Sequence, residues 1–272
     1  MIRNAKKRYW EREKEKLKTP VSGRLRTFKK PKSMVKGDLF PQCVTKFCDQ
    51  IAMPLCKKFN TIIATKRWPA KWKMETTTII PKSSTANNYD KCRNLACTPL
   101  FSKVMESFLM DRINAEVKID GSQYGGIKRC GTEHFLTQAW DNILGGLEDN
   151  RTSINLISID YAKAYNRMSH QHCLDAFKRK RASQATLGLI CAFLTGRKMQ
   201  VKVGETLSAL LDICDGSPQG CVSVNALFCA TIEALQDCCI LMWEQLFSCR
   251  CFLFLSTIKV SRILILLSCV CS

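Results

Sequence analysis

The sequence has little acidic charge, little glycine and little proline. Of its 272 residues, 23 are Asp or Glu against 42 Lys or Arg, which gives a net charge of +19. The 13 Gly and 8 Pro are too few for a collagen-like or low-complexity chain. A hydrophobic content of 46% excludes a wholly disordered chain and suffices for a core. This basic excess makes a polyanion the expected partner, either nucleic acid or an anionic membrane surface.

The 17 cysteines lack the spacing of a zinc site. The sequence has no Cys-x-x-Cys pair, and His134, His170 and His172 complete no Cys/His zinc set. No apolar run follows the basic N-terminal residues, so we expect no signal peptide. The protein is therefore expected to stay inside the cell, in nucleus or cytoplasm, and not to be secreted. Its thiols should remain reduced, most of them in the core.

Composition divides the chain into three regions. Residues 1–36 hold 14 Lys or Arg and 3 Glu, or +11 of the net +19, and are interpreted as a basic arm that is either solvated or contacts RNA. Residues 37–237 are interpreted as the main folded domain. Residues 238–272 are apolar at 24 of 35 positions and hold 6 of the 17 cysteines, so we interpret them as a divergent tail. Lys259 and Arg262 argue against a membrane helix there, because each costs about 2.5–3.5 kcal/mol at a bilayer centre. No membrane partner is therefore expected.

Hydrophobic periodicity predicts helices interleaved with strands. Pro54 is expected to kink or split the first of these helices. Since no glycine-rich phosphate loop accompanies the strands, the pattern favours an α+β fold over a Rossmann or P-loop protein. The predicted elements are helices at 44–62, 99–113, 169–181, 185–194 and 223–236, strands at 76–80 and 154–160, and a hairpin over 199–213.

Asp160 is placed like a metal ligand at the end of a predicted apolar strand. The last side chain of a buried strand projects into the crevice at the sheet edge, where a divalent cation can be shared with substrate phosphates. An aspartate at a strand end also commonly forms a turn. Spacing alone leaves both roles open.

The segment 159–166 reads Ile-Asp-Tyr-Ala-Lys-Ala-Tyr-Asn, and Gly216-Ser217-Pro218-Gln219-Gly220 follows downstream. These two segments resemble the reverse transcriptases of non-LTR retrotransposons. Other stretches agree in order over roughly residues 30–237. They are Trp68–Trp72, Ile80–Lys82, Asn88–Asp90, Arg93–Leu95, Phe101–Glu106, Gln123–Gly126 and Gly131–His134.

The resemblance implies an RNA-directed DNA polymerase, a nucleotidyltransferase, of α+β class with the fingers and palm of a right-hand polymerase. Its palm sheet would be incomplete, with packed helices. The partners would be an RNA template, a DNA primer and dNTPs. Asp160 corresponds to the first catalytic aspartate, which binds the two Mg²⁺ ions that align the primer 3′-oxygen and the nucleotide phosphates. Tyr165 falls where the family places an aromatic ring against the sugar 2′ position, which favours dNTPs.

The resemblance assigns four further residues to the nucleotide. Lys82 and Arg93 match basic residues of the fingers that would neutralise the triphosphate. Gln219 and Gly220 match the loop that packs near nucleotide and template. Each of these residues taken singly also fits a surface charge or an ordinary turn.

The chain departs from the family pattern in its metal site. The family completes this site with an aromatic-x-Asp-Asp hairpin, and this sequence contains no Asp-Asp dipeptide. One carboxylate, that of Asp160, is little for two hard cations that usually share several oxygen ligands. We therefore expect a fragment of fingers and partial palm that is inactive alone. A non-catalytic basic nucleic-acid-binding fragment is the alternative. A third reading is a genomic relic whose product does not fold stably.

Overall fold

A computed structural model describes most of the chain between residues 21 and 267. The chain forms two compact units, each built from separated segments. Unit 1 comprises Met1–Arg112, Ser183–Cys214 and Pro218–Ser223, and unit 2 comprises Ile113–Ala182, Asp215–Ser217 and Val224–Ser272. The described residues are 21–26, 41–81, 83, 92–119, 123–127, 130–148, 155–160, 164–218, 220–233, 254–257 and 262–267.

The architecture is mixed α and β, as the sequence pattern predicts. The helices are α1 (21–26), α2 (Pro41–Lys46), α3 (Cys48–Thr65), α4 (Leu100–Glu116), α5 (Thr132–Glu148), α6 (His170–Arg179), α7 (Gln184–Leu194) and α8 (224–233). The strands are β1 (Met74–Pro81), β2 (Cys92–Cys97), β3 (Asn155–Asp160), β4 (Arg197–Val203), β5 (Thr206–Leu207), β6 (Leu211–Ile213), β7 (Phe254–Thr257) and β8 (Arg262–Leu267). Short 3₁₀ turns lie at Ala70–Lys73 and Ala164–Arg167.

Unit 1 contains a five-stranded mixed sheet with the path β2-β1-β4-β5, and β6 also pairs with β4. The predicted β-branched strand is confirmed as β1, which lies between β2 and β4. It pairs antiparallel with β2, with Ile80 opposite Arg93, and parallel with β4, with Thr76 opposite Gln200. The predicted hairpin is confirmed where β4 turns at Gly204 into β5.

Aromatic side chains fill the core of unit 1. The ring of Phe59 on α3 lies 5.7 Å from that of Phe108 on α4 and 5.9 Å from that of Trp72, measured between centroids. Trp68 packs edge-on against Phe193 of α7 at 5.3 Å. Because aromatic rings bury large apolar areas, these contacts join three helices into one core.

The helix through Pro54 is not split there, since α3 continues through that residue. A kink at Pro54, the alternative outcome expected from the sequence, remains a prediction. The break between α2 and α3 comes instead at Phe47, whose backbone has φ −106° and ψ 24°. Proline removes only one hydrogen-bond donor, and the buried residues of α3 on either side, among them Ala52 and Phe59, pack against the unit.

Part of the basic arm docks on unit 1 through α1. The guanidinium of Arg24 lies 4.0 Å from the centre of the Phe108 ring and pairs with Asp111. Arg26 pairs with Asp49 at 2.7 Å. These two arginines of the arm therefore contact acidic and aromatic groups of their own unit.

Unit 2 contains α5, α6, α8 and a three-stranded sheet of order β3-β8-β7. The predicted strand that ends in Asp160 is confirmed as β3. Ser169 is the N-cap of α6, because its Oγ accepts a hydrogen bond from His172 N at 3.4 Å. Phe177 of α6 and Leu227 of α8 are fully buried in this unit.

The apolar tail contributes β7 and β8 to the sheet of unit 2. β8 pairs antiparallel with β3 along its whole length, with Asp160 opposite Arg262. Among the described residues, no helix is both long and apolar enough to cross a membrane.

The described cysteines are free thiols, and six of the eleven are buried. Burial raises the pKa of Cys173 and of Cys229 in unit 2 to about 11, so both stay neutral at pH 7. These six act as small apolar core residues, as the sequence predicts. They are Cys48, Cys56, Cys97, Cys173, Cys221 and Cys229.

Candidate nucleotide-binding site

In unit 2 the loop segment 215–217 is hydrogen-bonded to the turn that carries Tyr165. Gly216 N donates to Met168 O at 2.7 Å, and Ser217 N donates to Tyr165 O at 2.9 Å. These contacts join the two motif segments that the family resemblance rests on, although about fifty residues separate them in sequence. The loop start and the Tyr165 turn therefore form one hydrogen-bonded substructure.

Glycine is required at position 216. Its φ of +82° lies in the left-handed region, and a Cβ there would stand 2.7 Å from Asn166 O, closer than any real contact. Any other residue would force the loop away from the turn.

His170 holds the same loop from α6. Its Nε2 lies 2.7 Å from Gly216 O, and because a carbonyl only accepts, this nitrogen carries the proton. His170 is the first residue of α6, whose N-cap is Ser169, so the helix start fixes the position of the ring. Sequence reasoning considered His170 only as a zinc ligand and missed this role.

The ring of Tyr165 has a fixed orientation in unit 2. It packs on Phe228 of α8 with ring centroids 4.5 Å apart, and its Oη donates to Asn225 Oδ1 at 3.3 Å. Burial raises the pKa of Tyr165, so the hydroxyl stays protonated across the physiological range. Two contacts on α8 thus hold the half-buried ring of Tyr165, and the sugar-discriminating role that the resemblance implies for it remains a prediction.

In unit 1, Gly220 of the same loop packs on β2. Gly220 has φ +109°, and a Cβ there would lie 3.1 Å from Ala96 O, which leaves little room for a side chain. Arg93 belongs to the same strand, where it is paired with Ile80. The structure therefore brings Gly220 to the strand of Arg93. Lys82 and Gln219 lie outside the described residues, and their roles remain predictions.

Glu106 on α4 fixes the chain just beyond the loop. Its Oε2 accepts a hydrogen bond from Val222 N at 2.9 Å. Its Oε1 accepts from Ser102 Oγ at 3.5 Å, and Ser102 Oγ in turn accepts from Trp68 Nε1 at 3.2 Å. Glu106 ends one of the segments that resemble the family, Phe101–Glu106, but the sequence gives it no role. Only the fold shows what its carboxylate contacts.

Asp160 is the last residue of β3, as predicted, and its metal-binding role remains a prediction. Within the described residues, no three His, Cys, Asp or Glu side chains lie together as a metal site. Its backbone partner on the neighbouring strand is Arg262.

No protein-family model matches the chain. It is 25% identical over 169 residues to the "Retrovirus-related Pol polyprotein from type-1 retrotransposable element R2" of Popillia japonica. This match covers 61% of the chain and 24% of that relative. It is 26% identical over 177 residues to the "Probable RNA-directed DNA polymerase from transposon X-element" of Drosophila melanogaster, covering 63% of the chain and 19% of that relative.

The chain is similar to reverse transcriptases of non-LTR retrotransposons. The resemblance read from the motifs is thereby confirmed. The chain spans about a fifth to a quarter of the length of these curated relatives.

Proposed function

We propose that the chain carries the fingers and part of the palm of an RNA-directed DNA polymerase of retrotransposon origin. It would act inside the cell, in nucleus or cytoplasm, on an RNA template, a DNA primer and dNTPs. The observation that carries the proposal is the hydrogen bonding of Gly216 and Ser217 to the Tyr165 turn. Two segments with distinct nucleotide roles in the resembled family meet there in one substructure.

Each candidate site residue would then have a specific task. The Tyr165 ring, held by Phe228 and Asn225, would contact the sugar and clash with a 2′-hydroxyl. Lys82 and Arg93 would neutralise the triphosphate, and a bidentate guanidinium suits phosphate oxygens. Gln219 and Gly220 would support the nucleotide and template.

We propose Mg²⁺ as the cofactor, with Asp160 as its first ligand. Since the sequence contains no Asp-Asp dipeptide to match the family's further ligands, we propose that the chain does not polymerise by itself. Mg²⁺ would supply charge stabilisation at the phosphates in a complete site. No catalytic step is assigned to the isolated chain.

Primer extension tests this proposal. The purified chain, an RNA template with a DNA primer, Mg²⁺ and labelled dNTPs should give no extension, while the chain should bind the duplex. If extension does occur, Asp160→Ala should abolish it, and activity that persists in this variant would refute the assignment of Asp160. A chain that binds neither duplex nor dNTP contradicts the proposal altogether.

The second candidate is a non-catalytic nucleic-acid-binding fragment, favoured by the net charge of +19. Its affinity for duplex should then fall steeply between 50 and 200 mM salt, by about 10³-fold or more if several phosphates are contacted. It should also be unaffected by dNTP and by Tyr165→Val. Affinity that barely changes with salt would argue against phosphate contacts in either candidate.

A further inference from the structure

Three charged side chains are buried together in the core of unit 1. Arg197 and Glu106 are fully buried, and Glu75 is 5% exposed. Arg197 Nη2 donates to Glu75 Oε2 at 3.0 Å, and its Nη1 donates to the carbonyl of Phe193 at 3.4 Å. Such groups are costly to bury, so their arrangement calls for a physical reason beyond packing.

Both carboxylates interact electrostatically with Arg197, but they differ in the hydrogen bonds they accept. Glu75 lies on β1, and its described hydrogen bond goes to Arg197. Glu106 also receives the backbone amide of Val222, two residues after Gly220. A hydrogen bond to an ionised carboxylate is roughly twice as strong as one to a neutral group.

We propose that Glu106 is a positioning residue for the loop at Gly220, which its ionised carboxylate holds against β2 through the amide of Val222. This inference rests on the proposed function, because the loop matters only if it contacts nucleotide or template. The carboxylate itself, fully buried, touches neither.

The charge of Glu106 depends on the groups that face it. These are Lys103 from α4, Arg197 from β4 with Glu75 of β1 beyond it, and Cys221 from the loop. Burial raises the pKa of Glu106 to about 6, and Arg197 and the amide of Val222 oppose that rise. Glu106 therefore changes charge just below neutral pH, and its hold on Val222 weakens there.

The local and the global effects of this titration have opposite signs. Protonation weakens the bond to Val222, so local protection of that amide falls as pH falls through about 6. A carboxyl whose pKa is raised in the folded state makes the fold more stable on protonation, so global stability rises over the same interval. A carboxylate that only stabilised the fold would not make the protection of the Val222 amide and the global stability change in opposite directions.

Amide exchange in the whole chain measures the local effect. Protection factors of Val222 and Ser223, corrected for the intrinsic exchange rate at each pH, should fall roughly tenfold between pH 7.5 and pH 5. Glu106→Gln should show the low value at both pH values. Glu75→Gln is the matched control, since it also faces Arg197 but makes no described hydrogen bond to the loop, and it should keep the wild-type pH dependence.

Any pH dependence that persists in Glu106→Gln belongs to groups other than Glu106. If wild type and Glu106→Gln change in parallel, the inference is refuted. Should Glu106→Gln fail to fold, a pH-independent protection of Val222 in wild type refutes it equally.

Binding of dNTP with an RNA template–DNA primer duplex separates this inference from the proposed function. If the amide effect is observed and the affinity for dNTP falls about tenfold between pH 7.5 and pH 5, both the positioning role and the proposed function are supported. An amide effect without any dNTP binding refutes the proposed function and, with it, the role of the loop. Binding of dNTP that is insensitive to pH and to Glu106→Gln refutes the positioning role while leaving the proposed function in place.

Discussion

The two units hold neighbouring parts of one loop by different chemistry. In unit 2, Gly216 and Ser217 are held by backbone hydrogen bonds and by the imidazole of His170. In unit 1, Val222 is held by the carboxylate of Glu106, part of a buried group of charges. The first arrangement depends on the absence of a side chain at Gly216, and the second depends on charge. The two should therefore fail under different perturbations.

The largest effect should come from removing the central charge of unit 1. Arg197→Met leaves Glu75 and Glu106 without their buried cation and should lower the free energy of unfolding by about 3–5 kcal/mol. Urea unfolding followed by the fluorescence of Trp68 and Trp72 measures this loss.

The matched control combines Arg197→Met with Glu75→Gln and Glu106→Gln. It should recover most of the stability, because no uncompensated charge remains. If the free energy of unfolding of Arg197→Met alone lay within about 1 kcal/mol of wild type, the two carboxylates would have to be compensated by other groups.

In unit 2 the comparable substitution adds side-chain volume at Gly216. Gly216→Ala places a Cβ against Asn166 O in a left-handed backbone, and should cost about 3 kcal/mol. Gly204→Ala is the control, with φ +60° and no heavy atom within 4 Å, and should cost only about 1 kcal/mol. Equal losses in thermal unfolding would show that the contact with Asn166 O has no cost.

The charge in unit 1 should appear as a pH dependence of stability. The pKa of Glu106 is about 6 against an ordinary 4.5, so the folded state binds the proton more tightly. The free energy of unfolding should therefore fall by about 2 kcal/mol in total as pH rises from well below 4.5 to well above 6. Unfolding curves across this range should show the slope in wild type and lack it in Glu106→Gln. A slope of opposite sign would mean that the Arg197 interaction outweighs burial.

The smallest effects should be the same in both units. Ser169 caps α6 in unit 2 and Ser183 caps α7 in unit 1, each accepting a backbone amide. Substitution of either by alanine should cost about 1 kcal/mol in urea unfolding. Losses that differ several-fold would indicate that the units differ in helix capping as well as in how they hold the loop.

The sequence predicts the features that depend on local pattern. Apolar periodicity, β-branched residues and serine caps are read within a few residues, so β1, α6 and α7 follow from them. Asp160 at the end of β3 follows from the same reasoning.

The features that the sequence does not predict depend on distant residues. Arg197 and Glu75 are 122 positions apart, and each looks like an ordinary surface charge until β4 pairs with β1. Glu106 and Val222 are separated by 116 positions. The passage of α3 through Pro54 likewise depends on packing that propensity does not include.

The parallel pairing of β1 with β4 has a consequence for synthesis of the protein. β1 is complete once residue 81 has been made, but its partner ends at Val203. At about 5–20 residues per second, the ribosome needs on the order of ten seconds to supply the missing strand. During that interval one edge of β1 lacks its partner and Glu75 lacks its arginine. The nascent chain should therefore depend on chaperones until β4 emerges, and an open strand edge of this kind is where association with other chains would begin.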